Sequence, residues 1–411
     1  MIAAPHPAWK APAVVRQGAA SVILCLLATA IAPARAAPPP RPCTLVDEVS
    51  FDPIGGQIVV AADLGGKAPH RLLLDTGSYE NYLWSAEAAA LGWKPSDEVE
   101  RRDASTSFTV RQISGRRVAV GKAVVTGQSF AVRPRTIPHV DGLLGYPFIS
   151  RFVVGVDPIA HRLRFWSPGC DRVPSGATAL PLRFFAGRMP AVEASLVMAD
   201  GVAIATTLMV DTGAGTSLIL NTPFVARHRL LARAGTVVDE ETGSIGGGHS
   251  SLASARAREL RLGPFVLARP IVSLGKPTAS FGADHPWDGI VGGGVLSRFQ
   301  VTFDYPRRRL LLVPNACFAA PFRQDALAML LVDAPEGARV AALRPRGQAD
   351  RAGLRSGDVI VAITGRSASP PGTKLTARAL YDALEKDGVY HLEVRRVGRP
   401  ISLTLTVKNV L

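Results

Sequence analysis

Aromatic residues are scarce in this chain, at 6% of 411 residues, and cysteine occurs only four times. Surfaces that bind nucleic acids usually combine clustered basic residues with aromatic side chains on which bases stack. Here the formal net charge of +14 comes from 47 basic and 33 acidic residues that are scattered along the chain. We therefore interpret the charge as an arginine-rich solvated surface and predict no nucleic-acid partner.

The sequence motifs of several common enzyme classes are missing as well. The chain contains no His-Glu-x-x-His zinc motif, no Gly-x-Ser-x-Gly nucleophile elbow and no phosphate-binding P-loop. Its eight His residues are dispersed, and no two cysteines have the Cys-x-x-Cys spacing of metal or redox sites. The sequence therefore predicts a protein that uses neither a metal nor a cofactor.

The chain lacks the run of roughly 20 apolar residues that a transmembrane helix requires. Residues 1–36 instead contain Lys10 and Arg16, then an apolar run from Ala19 to Pro33, then Ala34-Arg35-Ala36. This order is typical of a cleaved signal peptide, with an uncleaved anchor as the alternative. We predict an exported protein, periplasmic or secreted, of a Gram-negative-like bacterium, without stable membrane insertion after signal cleavage.

Three cysteines remain after this cleavage, at Cys43, Cys170 and Cys317. Exported proteins fold under oxidising conditions, in which thiols form disulfides. An odd number of cysteines then predicts one disulfide and one free thiol. The count alone leaves the pairing open.

Two segments of the chain repeat the same pair of motifs. The first contains Asp75-Thr76-Gly77-Ser78 and, 66 residues after its first Asp, Asp141-Gly142-Leu143-Leu144-Gly145. The second contains Asp211-Thr212-Gly213-Ala214 and, 77 residues on, Asp288-Gly289-Ile290-Val291-Gly292. In both copies a cysteine lies 29 residues after the Asp that begins the second motif. Such agreement in order and spacing indicates an internal repeat.

Short apolar runs between Gly and Pro residues predict that both copies consist mainly of β-strands. Residues 57–62 and 203–210 are examples with strand-like composition. We place the two copies at residues 43–175 and 176–320. The names "first lobe" and "second lobe" are used below for these two ranges.

The two Asp-Thr-Gly segments supply what hydrolysis requires when no metal or covalent intermediate takes part. If two carboxyl groups share one proton, the ionised group can activate a water molecule and the protonated group can act as the acid. Gly77 and Gly213 permit tight turns, and Thr76 and Thr212 are placed to hydrogen-bond across the interface between the turns. Asp75 and Asp211 are therefore the predicted catalytic residues, whereas the recurring acidic residues of the second motifs are predicted to be structural.

At these residues the chain resembles the pepsin and retropepsin aspartic proteases, and it is similar to bacterial proteins in which two retropepsin-like units are fused. The resemblance covers residues 43–320. It implies a mainly β fold, in which two pseudo-symmetric lobes form a bilobal, pepsin-like barrel and a monomer contains an intrachain pseudo-dimer. It also implies an aspartic endopeptidase that acts on a peptide or protein substrate. The alternative is a non-catalytic envelope protein that binds peptides or acts as an adaptor.

The resemblance has further implications for particular residues. Flaps that cover the cleft are expected near residues 104–118 and 241–256. By analogy with retroviral dimers, Cys43 is expected to pair with Cys317. The two loops differ in their fourth residue, Ser78 against Ala214. A hydroxyl that donates to a carboxylate favours its ionised form, so this difference predicts that Asp75 is the more acidic partner and Asp211 holds the proton.

The segment after the second lobe, residues 324–411, resembles a PDZ domain of the kind attached to bacterial envelope proteases. The resemblance lies in Ala352-Gly353-Leu354-Arg355-Ser356-Gly357-Asp358-Val359-Ile360 and in Ile363-Thr364-Gly365. It implies a small α+β domain that binds an extended peptide or a protein C-terminus between strand 329–332 and helix 376–384. The alternatives are that this segment, called the C-terminal module below, only packs on the lobes or that it blocks the cleft.

Overall fold

The computed structural model describes residues 43–96, 98–243, 247–278, 280–323, 327–344, 347–364, 375–384, 386–409 and 411. All of them belong to one compact unit, Arg41–Leu411. The predicted signal peptide lies outside the described residues. The three predicted domain boundaries stay predictions, since this unit is not divided further.

Strands dominate both lobes, as the short apolar runs predict, and the mainly β fold class is confirmed. The elements of the first lobe are β1 Leu45–Ser50, β2 Asp52–Ile54, β3 Gln57–Ala62, β4 His70–Leu74, β5 Asn81–Trp84, α1 Ser85–Ala90, β6 Glu98–Arg102, β7 Ser107–Val120, β8 Ala123–Arg133, β9 Gly142–Leu144, α2 Tyr146–Ile149, β10 Val153–Asp157 and β11 Arg162–Trp166.

The second lobe repeats much of this arrangement, with a longer series of strands. Its elements are β12 Thr178–Pro181, β13 Arg183–Phe185, β14 Met189–Val197, β15 Ala203–Val210, β16 Leu218–Leu220, α3 Thr222–Arg227, α4 Leu230–Arg233, β17 Val237–Gly243, β18 His249–Arg256, β19 Glu259–Leu262, β20 Phe265–Ala268, β21 Ile271–Gly275, β22 Gly289–Val291, α5 Gly293–Leu296, β23 Phe299–Asp304 and β24 Arg309–Pro314.

The C-terminal module consists of an antiparallel sheet and two short helices. Its elements are β25 Met329–Ala334, β26 Gly337–Leu343, α6 Gln348–Arg351, β27 Val359–Thr364, α7 Ala377–Ala383, β28 Gly388–Arg396 and β29 Arg399–Val407. The sheet order follows the sequence, β25-β26-β27-β28-β29.

The strands of the two lobes form three sheets within the described residues. The first lobe has an eight-stranded sheet in the order β2-β3-β4-β9-β5-β8-β7-β6, and the second has a ten-stranded sheet that follows β17-β18-β21-β16-β22-β15-β14-β19-β20 with β13 on β14. In both, the strand before the Asp-Thr-Gly segment runs parallel to the strand of the second motif, β4 to β9 and β15 to β22. The same pairing in both sheets agrees with the internal repeat.

A third sheet joins the lobes in the order β1-β11-β10-β23-β24-β12. Its centre is the antiparallel pair β10–β23, in which Gly155 lies opposite Thr302. A single large core cluster contains buried residues of both lobes, for example Leu74 and Val210, so the lobes fold against each other.

The disulfide joins Cys43 to Cys170, and Cys317 is a free, exposed thiol. The expected pairing of Cys43 with Cys317 is therefore wrong. The reason lies in the strand order, because β1 pairs with β11 of its own lobe and brings Leu45 opposite Trp166. The chain termini of the first lobe thus meet each other, instead of crossing to the second lobe.

The C-terminal module packs on both lobes. Val332 and Ala341 belong to a core cluster with Ile54 of the first lobe. On the second lobe, the guanidinium of Arg344 lies 3.6 Å from the carboxylate of Glu240. The module has its own apolar core as well, formed between its sheet and its two helices. It is therefore attached to the lobes by side-chain packing in addition to the covalent chain.

Candidate active site

The two Asp-Thr-Gly segments begin where buried apolar strands end. Asp75 follows β4, and its amide donates to the carbonyl oxygen of Leu144 at 2.9 Å. Asp211 follows β15, and its amide donates to Val291 at 3.0 Å. In each lobe, the strand of the second motif therefore holds the base of the loop that carries the first motif.

The threonines bind the two loops to each other, as the sequence predicts. The amide of Thr76 donates to the hydroxyl oxygen of Thr212 at 3.1 Å, and the amide of Thr212 donates to that of Thr76 at 3.0 Å. Each hydroxyl also donates to a carbonyl oxygen of the opposite lobe, that of Val210 at 2.8 Å and that of Leu74 at 2.5 Å. All four residues are buried, so the bonds fix the relative position of the loops.

Gly77 and Gly213 allow the two carboxyl groups to approach each other. A Cβ atom on Gly77 would lie 2.5 Å from Cγ of Asp211, and one on Gly213 would lie 2.5 Å from Cγ of Asp75. Real Cβ atoms do not tolerate such distances. The two glycines are therefore required by a close approach across the interface between the lobes, and not only by the conformation of their own turns.

The two carboxyl groups lie close together and interact electrostatically at a partly exposed position between the lobes. Burial raises the pKa of Asp75 well above its ordinary value, and the negative charge of Asp211 raises it further. Burial also raises the pKa of Asp211. Two acids this close cannot both ionise at neutral pH, so the pair retains one proton.

Amides of both loops approach the carboxyl groups and lower their pKa, those of Gly77 and Ser78 at Asp75 and those of Gly213 and Ala214 at Asp211, but among the described residues only the contacts at Asp211 have the geometry of hydrogen bonds. Oδ1 of Asp211 accepts the amides of Gly213 at 2.7 Å and Ala214 at 3.1 Å. Oδ1 of Asp75 is buried and has no hydrogen-bond partner among the described residues. Amide donors stabilise the ionised form, so Asp211 is the ionised partner and Asp75 holds the proton.

This assignment reverses the prediction from Ser78. The Ser78 hydroxyl donates to the carbonyl oxygen of Glu80 at 2.8 Å and not to the Asp75 carboxylate. The prediction was wrong because it assigned the hydroxyl of Ser78 to the carboxylate, whereas it is the main-chain amide of Ser78 that approaches Asp75. In the structure the local turn provides Ser78 with a nearer acceptor.

Gln57 and His139 form a contact with the second loop that sequence reasoning missed. Nε2 of Gln57 donates to the carbonyl oxygen of Gly213 at 2.5 Å, across 156 residues of sequence. Oε1 of Gln57 then accepts from Nε2 of His139 at 2.9 Å. The only signal in the sequence is a polar residue at the start of an apolar strand.

The hydrogen bond to Gln57 determines the tautomer of His139. Since Nε2 is the donor, Nδ1 carries no proton in the neutral ring, and this atom is buried without a partner among the described residues. Burial lowers the pKa of His139 to about 4, and the positive charge of Arg71 contributes. His139 is therefore neutral at pH 7.

Asp141 and Asp288 have the structural role predicted for them. Oδ2 of Asp141 accepts the amide of Arg71 at 2.8 Å, and Oδ2 of Asp288 accepts the amide of Thr207 at 2.9 Å. These amides belong to the strands that lead to the Asp-Thr-Gly loops. Neither carboxylate is part of the pair formed by Asp75 and Asp211.

Two β-hairpins, β6–β7 and β17–β18, reach the same cavity and touch each other. The hydroxyl groups of Ser105 and Ser250 are 3.1 Å apart. The first hairpin also contacts the loop after β21, where the amide of Gly282 donates to the carbonyl oxygen of Ala104 at 2.8 Å. The flap expected near residues 104–118 does not include β6, the first strand of the observed hairpin, which is rich in charged residues. The expected flap at 241–256 missed the first part of β17, and residues 244–246 between the two strands lie outside the described residues.

The cavity that contains the carboxyl pair measures about 1730 Å³. Small-molecule sites usually measure about 300–1,000 Å³, so this cavity has room for a longer ligand. Its wall near the pair is largely apolar and includes Tyr79, Tyr82, Phe108, Met189, Trp287 and Ile290. In the part of the chain that the structure describes, no group of His, Cys, Asp and Glu residues is arranged to hold a metal ion.

Two comparisons with known proteins found proteins to which this chain is similar. Residues 60–148 match the family described as Aspartyl protease, and this range contains Asp75 and the second motif of the first lobe. The crystal structure of an aspartic proteinase from Irpex lacteus is similar at 16% identity, over 67% of this chain and 99% of that chain, with a TM-score of 0.45. No curated protein matches the chain. The chain is thus similar to aspartyl proteases, which are hydrolases of peptide bonds.

Proposed function

We propose that the chain is an aspartic endopeptidase that hydrolyses peptide bonds with a water molecule activated between Asp75 and Asp211. The observation that carries this proposal is the close carboxyl pair, in which amide hydrogen bonds favour the ionised form of Asp211 while burial and the charge of Asp211 raise the pKa of Asp75 well above its ordinary value. A protein that only bound peptides would gain nothing from holding two carboxyl groups so close that one must stay protonated.

Because the two carboxyl groups differ in protonation, each has its own role in the reaction. Asp211, ionised, takes a proton from water while the water oxygen attacks the peptide carbonyl carbon, and Asp75 donates its proton to the carbonyl oxygen. Asp211 then passes its proton to the departing nitrogen as the C–N bond breaks, and Asp75 takes a proton from a hydroxyl of the intermediate. The products are a carboxylic acid and an amine, and both groups return to their starting forms.

The surrounding residues prepare the pair for this reaction. The supporting residues Thr76, Gly77 and Ser78 in the first loop, and Thr212, Gly213 and Ala214 in the second, hold the carboxyl groups at their close distance. The hydrogen bond from the Gln57 side chain to Gly213 holds the second loop in place. We propose that the two hairpins cover a bound polypeptide and exclude water from the cleft, which strengthens the electrostatic interactions inside it.

We further propose that the protein is exported to the periplasm or secreted. The disulfide supports an oxidising compartment. Among the described residues, no helix has the length and apolar character needed to cross a membrane. The lobes would function as a monomer, because each supplies one half of the site. The C-terminal module would be a PDZ-like domain that recruits or regulates a protein substrate.

The proposed activity is tested by single substitutions of the pair in the full-length protein, with β-casein as an unfolded substrate. Asp75→Asn and Asp211→Asn are each expected to lower kcat by at least about a hundredfold, as loss of an acid or base usually does. Asp200→Asn is the matched control, since Asp200 pairs with Arg233 on the surface. Retained turnover in either pair variant would reject the mechanism. Peptide binding without cleavage by the wild type would support the non-catalytic alternative.

A further inference from the structure

The hydroxyl group of Tyr381 occupies the outer edge of β25 in the C-terminal module. It accepts the amide of Leu331 at 3.0 Å and donates to the carbonyl oxygen of Met329 at 2.9 Å. These two main-chain groups, two residues apart, point to the same side of the strand. One side-chain hydroxyl thus makes the bonds that a neighbouring strand would make.

The edge that Tyr381 covers is the outer edge of the module's sheet. In the described sheet β25 is terminal, with β26 as its neighbour on the other side. Helix α7, which carries Tyr381, lies alongside the strand and is fixed at its start, where the amide of Ala377 donates to Asp333 at 2.7 Å. An unpaired strand edge is where extended peptides add to a sheet.

This groove between β25 and α7 is continuous with the cleft of the two lobes. Met329, Leu330, Tyr381 and Leu384 line the same cavity as Asp75 and Asp211. The turn between β2 and β3 contacts both the module and the second loop of the cleft. A Cβ on Gly55 of this turn would lie 2.6 Å from the Leu330 side chain, and one on Gly56 would lie 2.7 Å from the carbonyl oxygen of Gly215 in the second catalytic loop.

We propose that Tyr381 is a latch on the strand edge, and that an extended segment of the polypeptide substrate displaces it and pairs with β25 while an adjoining segment lies at the carboxyl pair. The inference rests on the proposed protease function, because it takes the occupant of the groove to be the same chain that is cleaved. Continuity of the groove with the cleft favours this occupant over an unrelated ligand.

Because Tyr381 already bonds the edge of β25, a substrate that enters the groove replaces hydrogen bonds that exist before it binds. A substrate segment that pairs with β25 gains main-chain hydrogen bonds, but Tyr381 must first give up its two. Tyr381→Phe removes the hydroxyl and keeps the ring that packs beside the module's core. The strand edge is then free for the substrate, so the variant is expected to bind an extended chain more tightly than the wild type does.

Kinetics on two substrates test this in the full-length protein. For Tyr381→Phe we expect KM for β-casein to fall about two- to tenfold relative to KM for a mixture of eight-residue peptides, the range that one net hydrogen bond supplies. Tyr390→Phe is the matched control, since Tyr390 donates to Lys386 inside the same module at 2.7 Å, and its KM ratio is expected to equal that of the wild type. An unchanged or raised ratio in Tyr381→Phe would overturn the latch.

Hydrogen–deuterium exchange provides a readout that needs no turnover. In an Asp75→Asn background, residues 329–334 are expected to exchange faster after Tyr381→Phe, and β-casein is expected to restore their protection. Absence of that protection at a casein concentration above KM would reject the latch while leaving the protease proposal intact. Undiminished cleavage by Asp75→Asn or Asp211→Asn would instead reject the protease proposal, whatever the exchange data.

Discussion

Thr76 and Thr212 exchange hydrogen bonds across the interface between the lobes, each amide donating to the other hydroxyl. In Thr212→Val the amide of Thr76 loses its acceptor and the carbonyl oxygen of Leu74 loses its donor, both buried. Each unsatisfied group costs about 1–3 kcal/mol, so urea denaturation is expected to give a loss of stability of that order, with kcat reduced as well. Thr212→Ser keeps the hydroxyl and is expected to retain most of both. Equal losses in the two variants would show that methyl packing, and not the hydrogen bonds, matters.

Gly213→Ala tests the close approach of the loops. The added methyl group would lie 2.5 Å from Cγ of Asp75, so the carboxyl group has to move. We expect kcat for peptide hydrolysis to fall by about a hundredfold or more, because catalysis depends on positions held within about 0.5 Å. Gly235→Ala has open space around its added methyl group and is the matched control, with both kcat and Tm near those of the wild type.

The pKa of His139 predicts a pH dependence of stability. The folded protein keeps this ring neutral down to about pH 4, whereas the unfolded chain protonates it near pH 6.5. Between these values the unfolded state binds more protons, so stability falls as the pH is lowered, by up to about 3 kcal/mol for this residue. His139→Gln is expected to unfold in urea with a shallower dependence on pH between 4 and 6.5. If the stability of the variant depends on pH as steeply as that of the wild type, groups other than His139 cause the dependence.

The Ser78 hydroxyl is expected to have little effect on the pKa values of the carboxyl pair, since it donates to the main-chain carbonyl oxygen of Glu80. Ser78→Ala should therefore leave the acidic limb of the pH–rate profile in place and lower stability by about 1 kcal/mol, the worth of one hydrogen bond. The measurement is kcat/KM for one peptide across pH 3–8. A shift of the acidic limb to higher pH would mean that the hydroxyl turns to Asp75 in solution.

The disulfide is expected in the isolated protein between Cys43 and Cys170. Peptide mapping without reduction should recover this link and an alkylated Cys317. Cys170→Ser is expected to lower the stability by about 2–5 kcal/mol, as the removal of a native disulfide usually does. Cys317→Ser, at the exposed thiol, should leave it unchanged.

The parts of the candidate site that repeat can be predicted from the sequence. Asp75 and Asp211 are candidates because the same motif follows an apolar strand twice, and the second motifs that hold the loops recur at similar distances. Local patterns also locate α7, since Thr376 accepts the Ala379 amide as a helix N-cap. These features depend on neighbouring residues, so one sequence is enough to predict them.

Other features depend on which distant segments meet. Gln57 contacts Gly213 through a side chain that no motif marks, and the Cys43–Cys170 link follows from the register of β1 on β11. The proton distribution depends on amides that approach Asp211, while Ser78 finds another acceptor. Such contacts arise from tertiary packing, which local propensity and motif spacing do not encode.

The contact of Gln57 with the second loop has a consequence for the direction in which a polypeptide can bind. A homodimer built from one repeat would have a twofold axis through its site, and a chain could enter in either orientation with equal energy. Here the two repeats are joined and differ in sequence: Gln57 hydrogen-bonds the loop of Asp211, and Ser78 of the first loop corresponds to Ala214 of the second. A peptide has an amino end and a carboxyl end. Two unlike halves can distinguish them, and the fusion thereby gives the cleft a polarity that a symmetric pair lacks.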